Sequence, residues 1–204
     1  AVSSNSVTLN ANMNPLGSST VALFEYATDP NLAGPATVST LAGTGASATF
    51  DAPAGVAIDG ASTVYVADTG NHCIRKISPS GAISTLAGSG VAGFVNATGT
   101  NAQFNAPESL AVDAVGNVYV ADTWNHCIRK VTPTGVVTTL AGFGFPGFAE
   151  GAGAGALFEE PWGVAVDGDG TVYVADGANR RIRTITPLGV VSTLAGSGAY
   201  GQVD

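Results

Sequence analysis

Phe50-Asp-Ala-Pro-Ala-Gly-Val-Ala-Ile-Asp59, followed by Val64-Tyr-Val-Ala-Asp68 and Ile74-Arg-Lys-Ile77, decides the fold of this chain, because it comes back twice. Phe104 and Phe158 open the later copies, each 54 residues after the copy before. A fixed period of that size marks a repeat architecture in which each unit is one supersecondary block. Within the first unit, segments 56–59, 64–68, 72–77 and 82–86 are short runs rich in Val, Ile, Tyr and Thr. Gly60-Ala61, Thr69-Gly70-Asn71 and Ser78-Pro79-Ser80-Gly81 separate them, and Ala87-Gly88 closes the last. These are strand and hairpin signals, and no run is long enough for an amphipathic helix. Four strands joined by tight turns make one antiparallel sheet. Such a sheet cannot bury both faces alone, so copies must stack, and twisted sheets stacked radially give a β-propeller. The expected fold class is all-β.

Further residues sharpen this reading. Ala106-Pro107, Leu110-Ala-Val-Asp113, Val118-Tyr-Val-Ala-Asp-Thr-Trp-Asn-His126 and Ile128-Arg-Lys-Val131 make the second copy. Pro161-Trp-Gly-Val-Ala-Val-Asp167 and Val172-Tyr-Val-Ala-Asp-Gly-Ala-Asn179 make the third. Together with the first copy they resemble the NHL repeat over roughly 38–204. The resemblance implies four-stranded blades whose first strand, ending at Asp59, Asp113 or Asp167, lines a central channel. The strand ending at Leu86, Leu140 or Leu194 would then be outermost. Cys73 and Cys127 stand where the family usually has a basic residue after Asn-His, and the third copy has Arg180 in place of the His. Val38-Ser-Thr-Leu-Ala-Gly43 copies the outer strand once more, with only a short link to Phe50.

The propeller portion is therefore 38–204, with repeats 50–103, 104–157 and 158–204 and one orphan outer strand. Propellers generally close with four to eight blades. Three blades leave two flanks, each an apolar sheet face of a size seldom exposed on monomers. Other chains could complete a ring, or head-to-tail contacts that fail to close could propagate as a filament. The missing blades could equally lie in a longer protein. Residues 1–37 stand outside the repeat: Ser6-Val-Thr-Leu-Asn-Ala11 and Thr20-Val-Ala-Leu-Phe-Glu-Tyr-Ala27 alternate like strands around the turn Asn14-Pro-Leu-Gly17. This hairpin-like pair resembles part of a bacterial fibronectin type III-like domain. It reads either as a cap on an open flank or as strands exchanged with a neighbouring chain.

Charge limits the partners. The net charge is −8, and the seven basic residues fall at Arg75-Lys76, Arg129-Lys130 and Arg180, Arg181 and Arg183. No concentrated positive face exists, so nucleic acid and anionic membrane surfaces are disfavoured. No run of about 18 apolar residues offers a membrane span. The start AVSSNS shows no charged region followed by an apolar block, so no export signal is expected within these residues. A composition poor in Lys and rich in Ala, Gly, Ser and Thr resembles bacterial secreted or cell-surface proteins.

Candidate sites are sparse. Asp68, Asp122 and Asp176 end the second strand of each repeat, where a carboxylate accepts backbone N–H bonds of the following turn; Asn71, Asn125 and Asn179 fit the same turn. Asp59, Asp113 and Asp167 read as turn acids before they read as a cation ring at a channel mouth. Asp167-Gly-Asp169-Gly opens like a calcium loop but has Ala178 where the closing acid belongs. His72 and His126 are the only histidines. They cannot supply the three converging ligands of a catalytic zinc site, and no nucleophile–base pair is legible. Cys73 and Cys127 read as separate thiols. Asn96-Ala-Thr98 fits an N-glycosylation acceptor. The departures from the repeat are Trp124, Trp162, Glu108, Phe143, Phe145 and Phe148; with Phe24 and Tyr26 of the first segment they are the interface candidates, because loop aromatics often anchor partners. The expected function is a non-enzymatic extracellular module for protein binding or self-assembly, without cofactor. A propeller enzyme of lyase or lactonase type with a channel metal is the rival.

Overall fold

In the computed structural model, residues 40–41 and 49–201 are described. They form three antiparallel sheets, one per repeat. The first blade is β1 (Pro53–Ile58), β2 (Val64–Asp68), β3 (Cys73–Ile77) and β4 (Ile83–Ala87), in that spatial order. The second is β5 (Pro107–Val112), β6 (Val118–Asp122), β7 (Cys127–Val131) and β8 (Val137–Ala141). The third comprises β9 (Gly151–Ala152), β10 (Pro161–Val166), β11 (Val172–Asp176), β12 (Arg181–Ile185) and β13 (Val190–Ala195), with order β10-β11-β12-β13-β9. Among the described residues, no helix is long and apolar enough to cross a membrane.

Two details differ from the sequence reading. The inner strands start at Pro53, Pro107 and Pro161 and carry a register shift before Gly55, Ser109 and Gly163. That bulge places Ala54, Glu108 or Trp162 at an irregular position, where a side chain is re-aimed out of the strand's alternation. β9 was also unforeseen: Gly151 and Ala152 pair with Val191 and Val190 at the outer edge. In the second blade, the crossover does the same, through a bridge from Thr98 to Val136. The crossover thus covers an otherwise unpaired edge. Of the orphan strand expected at 38–43, only Thr40 and Leu41 are described, and neither lies in a strand; the hairpin expected within 1–37 falls outside the described residues.

The blades pack inner strand beside inner strand, β1 against β5 and β5 against β10. Gly55 permits the first approach, since a Cβ there would lie 2.8 Å from the Glu108 carbonyl oxygen and the Ser109 Cα. The core lies between blades rather than within them. Tyr65, Ala67, Ile74 and Ala87 of blade 1 pack on Phe104, Val118, Val120 and Val131 of blade 2. Tyr119, Ala121, Ile128 and Ala141 pack in the same way on Phe158, Val172, Val174 and Ile185.

One five-residue string, Val-Tyr-Val-Ala-Asp, reports the consequence. It is buried throughout in β2 and in β6, but in β11 Tyr173 and Ala175 lose full burial while Val172, Val174 and Asp176 keep it. The third blade is covered on one face only. Ile182 is 41% exposed, whereas its equivalents Ile74 and Ile128 are fully buried. The other expected open flank, on blade 1, is not open: Phe50, Val64, Val66 and Ile77 are all buried.

Candidate interface at the blade flanks

Each blade is pinned by a carboxylate at the end of its second strand. Asp122 Oδ1 accepts the Asn105 backbone N–H at 2.8 Å, and Oδ2 accepts Asn125 Nδ2 at 2.9 Å and Arg129 Nη1 at 2.7 Å. Asp176 repeats this with Glu159, Asn179 and Arg183, and Asp68 with Asp51, Asn71 and Arg75. The backbone partner lies 17 residues upstream, ahead of the inner strand, rather than in the following turn. The carboxylate therefore ties a blade's first segment to its second and third strands.

The arginines are the part that the sequence reading missed. Arg129 and Arg183 are fully buried. Arg129 reaches past Asp122 to the carbonyls of Gln103 and Val95 and to Asn96 Oδ1. Arg183 reaches the carbonyls of Leu157 and Ala149. Each guanidinium so fastens a crossover to its blade. Aromatic rings flank it, Phe94 and Phe104 at 4.9 and 5.2 Å from Arg129, and Phe148 and Phe158 at 4.7 and 5.3 Å from Arg183. Arg75 instead donates to Asp68 and Thr85 Oγ1, and its side chain stays 23% exposed. Burial pushes the Asp122 carboxyl up, against the pull of Arg129 and its N–H donors. An Arg recurring seven residues after each strand-ending Asp was the available signal.

Asp59, Asp113 and Asp167 close the first hairpin of each blade. Asp59 accepts the N–H groups of Ala61 and Thr63 and the Tyr65 hydroxyl, and the other two copies repeat the set. Burial acts to raise the Asp59 and Asp113 pKa values, but the combined donors outweigh it and leave them lowered. At Asp167 the Thr171 N–H leads and the pKa is again lowered. Tyr65 and Tyr119 are pushed up to about 12 by burial and by the carboxylate that each faces. Among the described residues, no three His, Cys, Asp or Glu side chains cluster in a way that could hold a metal ion.

Two side chains latch each blade to the next. Thr69 Oγ1 donates to the Pro107 carbonyl at 2.6 Å, and His72 Nδ1 accepts the Ala106 N–H at 3.0 Å. Thr123 and His126 make the same bonds to Pro161 and Glu160, at 2.8 and 3.1 Å. Both histidines sit in the left-handed region, φ 48° and 49°, which turns the ring toward the neighbouring blade. In the third blade the latch positions hold Gly177 and Arg180. A Cβ on Gly177 would lie 2.5 Å from Trp162 Cδ2, so the indole occupies the place of the threonine. Arg180 stacks over the exposed Tyr200 ring at 3.5 Å and donates to the Gly198 carbonyl. Trp162, Glu159, Glu160, Arg180 and Tyr200 line one notch of about 940 Å³ at this flank.

The remaining candidates scatter. Trp124 is exposed on the turn after β6. Phe143 and Phe145 are exposed and lie 5.8 Å apart on the crossover, while Phe148 stacks on Arg181 and Arg183. Glu108 is half-buried, and burial, then the Glu160 charge, raises its pKa. Of these, only Trp162 belongs to the notch. The Asn96 side-chain amide is held by Arg129 and Thr139. Cys73 and Cys127 are free, buried thiols; burial pushes Cys73 up to about 12 and Cys127 well above the ordinary thiol range. Phe24 and Tyr26 lie outside the described residues.

Comparison with known proteins agrees with this geometry. The family model for the NHL repeat matches residues 50–77, 104–131 and 158–185. NHL repeat-containing protein 2 of Homo sapiens is 33% identical over 151 residues, 67% of this chain and 21% of that protein. The chain spans 14% to 21% of the length of the first curated relatives that it matches. A protein of unknown function from Bacteroides thetaiotaomicron superposes with a TM-score of 0.65 at 24% identity, over 78% of this chain and 40% of that one. An auxiliary nutrient binding protein from the same organism gives 0.58 at 25% identity, over 68% and 36%. Residues 50–77, 104–131 and 158–185, which carry the first three strands of each blade, are NHL repeats, and the sheets that they open are blades of the β-propeller type.

Proposed function

We propose that the chain is a non-enzymatic, secreted or cell-surface propeller module that binds protein through the uncovered flank of its third blade, with another copy of itself as the partner. The observation that carries this reading is the contrast along the repeated string: Tyr65 and Ala67, like Tyr119 and Ala121, are buried by the next blade, whereas Tyr173 and Ala175 are not. Ile182 and Leu194, 41% and 60% exposed, extend that apolar face. Fully burying one such side chain contributes roughly 1.5–3 kcal/mol, so a face of several favours association.

The matching half is present in the same sequence. Phe50, Val64, Val66 and Ile77 correspond to Phe104, Val118, Val120 and Val131 at the first internal junction and to Phe158, Val172, Val174 and Ile185 at the second. They are buried in the isolated chain, so a head-to-tail contact replaces a cover already there. A heterologous contact of this kind closes into a ring or grows into a filament. Light scattering on the full chain tests the reading. Wild type should show twice the monomer mass or a larger species, and Ile182→Arg, a change at an exposed position, should return it to monomer with an unaltered circular dichroism spectrum. A wild type that stays monomeric at high concentration refutes it.

A further inference from the structure

At both internal junctions the residue at the His72 position is an acceptor, receiving the N–H of Ala106 or Glu160 through Nδ1. Arg180 is a donor only. A next blade that offered the usual N–H at that point would set donor against donor. The Thr donor is gone as well, because Trp162 stands where its side chain would be. Yet the inner strand still invites a blade. Gly163 occupies the position of Gly55, and among the described residues an added Cβ would meet only Ala175 Cβ of its own sheet, which leaves its outer side open to the backbone approach seen at the first junction. The flank keeps the means of packing a blade and has changed the chemistry of the latch.

We infer that Arg180 selects its partner by pairing with Asp51 of a second copy, an assignment that rests on the head-to-tail reading above. Asp51 occupies the position of Asn105, directly before the residue whose N–H meets the latch at each internal junction. It is exposed, and its carboxylate lies over Gly70 at the rim of blade 1. Its backbone N–H is given to Asp68, and among the described residues no donor reaches its carboxylate. Arg180 is exposed, and among the described residues the Tyr200 ring and the Gly198 carbonyl hold it, which leaves guanidinium N–H groups for a carboxylate. The internal junctions carry no ion pair between these positions, so the contact distinguishes a copy-to-copy junction from those within a chain. Rim charges of this kind set partner choice and salt dependence more than raw affinity.

Charge exchange tests the pairing on the full chain. Arg180→Glu and Asp51→Lys should each weaken self-association by about tenfold or more, since like charges then face one another at every junction. An equimolar mixture of the two variants should assemble again at the wild-type mass, because each mixed junction carries opposite charges, and that recovery should fade as salt rises. Arg180→Glu associating like the wild type, or a mixture that stays apart, overturns the pair and leaves the third-blade contact standing. A monomeric wild type removes the contact itself and the pair with it.

Discussion

Replacing Asp122 by Ala should cost far more stability than replacing Asp68 by Ala, although the two residues hold the same place in their repeats. In blade 2 the change leaves Arg129 fully buried with its charge unpaired and strands the Asn105 N–H. Breaking a buried pair on one side costs about 3–5 kcal/mol. Arg129 keeps the Gln103, Val95 and Asn96 acceptors, which holds the expected loss to about 3–4 kcal/mol. In blade 1 the Arg75 side chain is 23% exposed and turns to water instead, so about 1–2 kcal/mol is expected there after allowing for solvent screening. Urea unfolding followed by circular dichroism and by the fluorescence of Trp124 and Trp162 gives both values. Removing both partners, as Asp122→Ala with Arg129→Met, should recover part of the loss, because a buried charge without a partner is the dominant penalty. Equal losses for Asp68→Ala and Asp122→Ala, or a loss under about 1 kcal/mol for Asp122→Ala, would refute the argument that these carboxylates pin the blades.

Three further outcomes follow from the same geometry. Asp59, Asp113 and Asp167 have folded-state pKa values below 3.8, so their stabilisation is complete above the unfolded value and is lost as acid titrates them below it. The melting temperature should fall steeply under about pH 4, and Asp113→Asn should flatten that fall. Tyr65 and Tyr119, at about 12 against 10.0, hold their protons better when folded; their contribution is full below pH 10 and disappears as pH rises through the folded value, and near-ultraviolet absorbance should show both phenols ionising late, with Tyr173 shifted in the same direction by Asp167. A thiol reagent should leave Cys73 and Cys127 untouched in the native chain and find both after denaturation.

The fold was legible because its signal is covalent and periodic: a 54-residue step, with Val, Tyr and Ile alternating between turn residues, leaves little choice but stacked sheets. The blade boundaries and the second, third and fourth strands follow from the Gly, Pro and Asp that bound them. The early start of the inner strands at Pro53, Pro107 and Pro161 was hidden because a proline donates no ladder bond and a bulge breaks the alternation after it. The site was legible only in outline. Trp162 was visible as a departure from the repeat, but its partner in space is Gly177, fifteen positions on, and glycine carries no pattern of its own. His72 and His126 read as structural, but their partners were hidden, because the N–H that each accepts lies 34 residues away in the next blade. The sequence assigns Arg129 no task, since nothing in a single strand says that two carbonyls and a carboxylate wait for it inside.

In one copy the third blade's face is open; in an assembly another copy should cover it. Hydrogen–deuterium exchange at a dilute and a concentrated condition reads that face directly. Peptides over Arg181–Ile185 and Val190–Ala195 should slow their exchange as concentration rises, while those over Cys127–Val131, already covered by blade 3, should not change. Equal exchange in the third blade at both concentrations would contradict the claim that another copy seats there.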